Sequence, residues 1–127
     1  MPFVTEEYVF AWLRAFVFTQ VVEMPIYRRG MPTSWGAAFG ASAITHPFVW
    51  FFFPWIAYRF DVSWYATATA SEFFAWWVEA LWFWSLAKKA LFGQPPVSAT
   101  RAILVSLGAN GASLGLGLLS RALLGVP

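Results

Sequence analysis

Glu23, His46, Glu72, Glu79 and Asn110 are the side chains of this sequence best suited to chemistry, and each stands inside an apolar run long enough to cross a bilayer. An ionisable group in hydrocarbon costs at least about 2.5–3.5 kcal/mol, so such groups are held by partners or by a guest and mark a site. Carboxylates beside an imidazole can relay protons, bind a cation or ligate zinc, iron or manganese. The sequence contains no cysteine, which removes disulfides, thiolate ligands and cysteine nucleophiles.

The elements that must position these residues follow from composition. The chain has 127 residues, 60% hydrophobic and 11% charged. Four apolar segments, at about 5–27, 35–58, 64–92 and 100–124, are each long enough for the ~30 Å hydrocarbon layer. Turn chemistry separates them: Arg28-Arg29-Gly30-Met31-Pro32, then Phe60-Asp61-Val62-Ser63, then Gly93-Gln94-Pro95-Pro96. The expectation is an all-α integral membrane protein, one transmembrane domain over 1–127, built as a four-helix bundle of two tandem hairpins. The first segment has Glu6 and Glu7 in place of a basic flank and carries Arg14 and Gln20, so it reads as a helix of the mature protein and not as a cleaved signal.

The net charge of +2 forms no basic patch, which argues against nucleic-acid binding. Arg28, Arg29, Lys88, Lys89 and Arg101 fall on the side of the first and third loops, against Arg59 and Arg121 on the other. That asymmetry predicts loops 28–34 and 88–101 in the cytoplasm and both termini outside, with the plasma (inner) membrane as the expected location. Trp35, Tyr58, Trp64, Tyr65, Trp82 and Trp84 fall where headgroups belong, as an interfacial aromatic belt does.

The two hairpins share a pattern. Val22-Glu23 and Val78-Glu79 are 56 residues apart, while Ser42-x-x-x-His46 and Ser106-x-x-x-Asn110 are 64 apart. A parallel internal repeat would relate the hairpins by an axis along the membrane normal and bring Glu23, His46, Glu79 and Asn110 into one polar layer. At 1.5 Å per residue, Glu79 and Asn110 come out roughly 13 Å from the loop side, His46 roughly 16 Å and Glu23 only about 8 Å. Helical spacing extends the stripes through Thr19 and Tyr27, Ser42, Thr69 and Glu72, and Ser106 and Ser113. Such stripes point inward or toward a partner subunit, because lipid offers no hydrogen bonds.

Pro47 and Pro54 leave the Ala43 and Trp50 carbonyls without their helical donors, so the second helix is expected to kink beside His46. Arg14 and Glu72 match in depth and are expected to form a structural ion pair, within the chain or between protomers. Glu23, His46 and Glu79 are the candidate metal ligands, although no adjacent-ligand motif accompanies them. Gly36 and Gly40, and Gly111 and Gly115, form GxxxG pairs suited to close helix contacts within the chain or in a homo-oligomer.

Three functions fit these residues. The first is a small membrane protein whose Glu/His/Asn layer binds and moves a proton, cation or small polar solute. The second is a non-catalytic subunit of a larger membrane complex, packed against helices, lipid, pigment or quinone. The third is an intramembrane metal-dependent enzyme. No residue pattern names a cofactor.

Overall fold

The computed structural model describes residues 2–125. Four long helices account for most of them: α1 (Glu6–Gly30), α2 (Trp35–Phe60), α3 (Trp64–Lys88) and α4 (Ala99–Leu124). Among the described residues there is no strand. Each helix begins on a hydroxyl cap. Thr5, Ser34, Ser63 and Ser98 accept the backbone N–H groups of Tyr8, Ala37, Ala66 and Arg101, satisfying donors that a helix start leaves orphaned.

Helices α1, α2 and α4 are long and apolar enough to cross a membrane. α3 has the length, at 25 residues, but its threonines, Ser71, Glu72 and Glu79 lower its hydropathy below theirs. α1 runs three residues past its expected end, through Arg28 and Arg29 to Gly30. α3 stops at Lys88, and the rest of the segment expected to be helical is a turn at residues 89–90 followed by a short 3-10 helix, Leu91–Gly93.

α2 is an α-helix over Trp35–Pro47 and again over Phe53–Phe60, with a wider π-helical turn at Phe48–Phe52 between them. The turn lies between the two prolines that cannot donate. The Trp50 carbonyl, denied a donor by Pro54, accepts the Tyr8 hydroxyl of α1 at 2.6 Å. A side chain thus supplies the hydrogen bond that the backbone cannot.

α1 packs against α2 and α4, and α3 packs against the same two. The interior is inverted relative to a water-soluble protein. Glu23, Glu79 and Ser106 are 2%, 1% and 0% exposed, whereas Val21, Leu104 and Phe10 are 68%, 60% and 52% exposed. Polar atoms inside and large apolar side chains outside suit a protein surrounded by lipid.

The apolar core lies at the end of the first and third loops, where Tyr27, Phe83, Met31, Leu86 and Ala102 are all at most 3% exposed. The loops are latched there. Gln94, 4% exposed, donates to the Pro32 carbonyl at 2.6 Å and accepts the Thr33 hydroxyl at 2.6 Å. Arg101 donates to the Gly30 carbonyl at 2.7 Å.

Candidate functional site

All four helices contribute hydroxyl, amide or carboxyl groups to one buried layer. From α1, Glu23 and Tyr27 are one helical turn apart and face inward together. α2 supplies Ser42 and Thr45, α3 supplies Glu79, and α4 supplies Ser106, Asn110 and Ser113.

Glu23 accepts Ser113 Oγ at 2.6 Å on Oε1 and Ser42 Oγ on Oε2. Glu79 accepts the Tyr27 phenol at 2.6 Å on Oε1 and Thr45 Oγ1 at 2.9 Å on Oε2. Ser42 Oγ also lies 3.4 Å from Glu79 Oε1 and so stands between the two carboxyl groups. Asn110 Nδ2 donates to the Ser106 carbonyl at 2.9 Å and approaches the Tyr27 hydroxyl at 3.4 Å. Ser106 Oγ donates to the Trp76 carbonyl at 2.8 Å. Every donor to the carboxyl pair is neutral.

The layer forms the floor of a cavity of about 250 Å³. Its walls carry Thr19, His46, Trp50 and Glu72, and Arg121 stands at the same cavity. Trp50, Glu72 and Arg121 also line an outer cavity of about 670 Å³ that reaches Tyr58, Val62 and Trp64 at the second loop. The two cavities adjoin, so together they form a recess between that end of the molecule and the layer of Glu23 and Glu79. Beyond them the apolar core and the latched loops close the other end.

The sequence-derived site divides in two. Glu23, Tyr27, Ser42, Glu79, Ser106, Asn110 and Ser113 meet in the layer, while Thr19, His46 and Glu72 line the recess without bonding to either buried carboxyl group. The expected difference in depth between the glutamates narrows because α1 continues to Gly30. Glu23 then lies about 10 Å from its helix end and Glu79 about 13 Å from its own. His46 does not join the carboxylates. Its Nε2 faces Thr19 Oγ1 at 3.4 Å, its ring packs on Trp12, Phe16 and Trp50, and its buried Nδ1 has no partner.

Two expectations need correction. Glu23, His46 and Glu79 do not assemble as metal ligands, since among the described residues no group of three His, Asp or Glu could hold a metal ion; the imidazole is turned away toward α1. The Arg14–Glu72 pair does not form within the chain either: Arg14 is exposed on the outside of α1 while Glu72 faces the recess. Thr69 is likewise exposed. Thr45 and Arg121 are polar residues of the site that the sequence pattern did not single out. Thr45 was findable, one turn from Ser42 on the same face.

The hairpin offsets reappear in the geometry. Glu23 and Glu79, Tyr27 and Phe83, Ala38 and Ala102, and Ser42 and Ser106 are pairwise buried at 2% exposure or less. Gln20 donates to the Phe39 carbonyl at 3.0 Å, and Trp76, at the 56-residue offset, donates at 2.8 Å to the carbonyl of Ile103, at the 64-residue offset from Phe39. The capping serines Ser34 and Ser98 keep the same 64-residue spacing. No protein-family model, curated protein or solved structure matches the chain, so the functional reading rests on the chemistry of the recess and its floor.

Proposed function

We propose that this chain is a small polytopic membrane protein that binds a small cation, with the proton included, or a small polar solute, and moves it by way of Glu23 and Glu79. The architecture in this reading is a four-helix bundle of two hairpins in one orientation, related by a pseudo-axis through the polar layer, with α2 kinked at Pro47. One observation carries it: two carboxyl groups, 2% and 1% exposed, line the same cavity, with only neutral hydroxyls as their donors. Two buried negative charges without a counter-ion are untenable in a dry interior, so the pair takes up at least one proton or another cation.

His46, Glu72 and Thr19 provide polar steps along the recess, and Arg121 stands at its outer part. With loops 28–34 and 88–101 in the cytoplasm, by the excess of basic residues, the recess opens to the outside. Flux measured in proteoliposomes with Glu79→Gln and His46→Ala tests the reading. Loss of flux in Glu79→Gln supports it, and unchanged flux in both variants removes these residues from the pathway.

A second reading is membership in a larger membrane assembly or a homo-oligomer. It is favoured by Gly108, Gly111 and Gly115, where an added Cβ would meet nothing within 4 Å, so these glycines serve no contact inside the chain. Purification decides it: a stable, monodisperse species of a single copy of this chain argues against obligate membership.

A further inference from the structure

We infer that Glu23 and Glu79 hold one proton in common and that Ser42 passes it between them. This deepens the cation-site reading by naming the cation, and it rests on that reading for the role of the recess. The argument begins with the direction of the hydroxyls. Each of the four carboxyl oxygens already has an O–H group aimed at it, from Ser113, Ser42, Tyr27 or Thr45. A metal cation would have to displace or turn these hydroxyl groups to gather several oxygens around itself, whereas a proton takes one free lone pair on a single carboxyl oxygen and then donates to a neighbouring oxygen already in reach. Ser42 Oγ faces both carboxyl groups, an approach that one shared proton permits and two bare negative charges oppose.

Ser42 has one hydrogen and two carboxyl neighbours. It donates to Glu23 Oε2, and its remaining contact, 3.4 Å from Glu79 Oε1, is satisfied when Glu79 carries a proton and donates it to Ser42 Oγ. Transfer then balances without any co-reactant. The Glu79 O–H bond breaks as its proton bonds to Ser42 Oγ, while the hydrogen of Ser42 leaves for Glu23 Oε2. Glu79 becomes the anion, Glu23 becomes neutral, and Ser42 is unchanged. Tyr27 donates to Glu79 Oε1 at 2.6 Å, whereas the equivalent partner for Glu23 would be Phe83, which has no hydroxyl. The two ends of the relay are therefore unequal. Of the other titratable or charged groups on the packed helices, His46 of α2, Glu72 of α3 and Arg121 of α4 line the recess, and none of the three is bonded to the pair.

Infrared spectroscopy of the protein in lipid nanodiscs separates protonated carboxyl groups from carboxylates. Subtracting the spectrum of a Glu23→Gln, Glu79→Gln variant from that of the wild type at neutral pH should reveal one protonated carboxyl and one carboxylate. Two carboxylates, or two protonated carboxyls, overturn the shared proton. If the double variant fails to fold, Ser42→Ala gives an independent reading: deuterium exchange of the protonated band should slow by about 100-fold and recover in Ser42→Thr. An unchanged rate in folded Ser42→Ala overturns the relay. A wild type that shows the shared proton yet supports no flux refutes transport and leaves this inference standing. Flux together with two carboxylates does the reverse.

Discussion

The Tyr27 phenol donates to Glu79 Oε1 at 2.6 Å, with both side chains at most 1% exposed, so this bond fixes α1 to α3 in the middle of the molecule. The Tyr27 ring also packs on Phe83 at a centroid distance of 4.5 Å. Tyr27→Phe keeps that ring contact and removes only the hydroxyl. The variant should fold but lose about 1–3 kcal/mol, the cost of an unsatisfied buried acceptor, measured by chemical unfolding in detergent. Wild-type stability would mean that Glu79 finds another donor without cost.

The Tyr8 hydroxyl occupies the place left vacant by Pro54. Its bond to the Trp50 carbonyl at 2.6 Å is needed only because residue 54 has no N–H. Tyr8→Phe should therefore cost about 1 kcal/mol in the wild type and less in a Pro54→Ala background, where the backbone can donate instead. Equal losses in the two backgrounds would show that the hydroxyl bond is worth the same whether or not residue 54 can donate, so that it does not stand in for the missing Pro54 N–H.

Much of the helical framework was legible because apolar runs of bilayer length have few alternatives. The orientation of individual side chains was less so. Thr45 and His46 are adjacent polar residues on a helix, a rotation of about 100° apart, and periodicity alone does not choose which one meets the glutamates. The imidazole looked like the more chemical group, but Thr45 makes the bond to Glu79. Arg14 and Glu72 were paired by depth, which says nothing about the face of a helix. The Gln94 latch joins two loops 61 residues apart at Thr33, a contact with no local sequence signal.

One-sided access to the polar layer can be measured directly because the chain has no cysteine to interfere. Leu118 lines the recess, whereas Ala102 sits in the closed core at 0% exposure. In oriented vesicles, Leu118→Cys should react with a membrane-impermeant thiol reagent only from the side of the second loop. Ala102→Cys should resist the reagent from both sides. Labelling of Ala102→Cys in a folded protein would mean that the latched end opens, and Gln94→Ala should then increase that labelling further.

The glycines divide into those the chain uses and those it leaves open, and their substitution should divide the same way. A Cβ at Gly30 would stand 2.6 Å from Val105 Cγ1, and one at Gly40 would stand 2.8 Å from Trp82 Cζ2. The indole of Trp82 is pinned by its bond to the Ala37 carbonyl at 2.9 Å, so it cannot retreat freely. Gly30→Ala and Gly40→Ala should each destabilise the protein by about 1–3 kcal/mol through overpacking. At Gly111 nothing lies within 4 Å, and alanine there relieves the helix of a flexible residue, a gain of roughly 0.5–1 kcal/mol. Unfolding in detergent should therefore rank Gly111→Ala above the wild type and the other two below it. If Gly111→Ala instead loses stability, or sheds a copurifying chain, a neighbouring helix occupies that face and the protein works as part of an assembly.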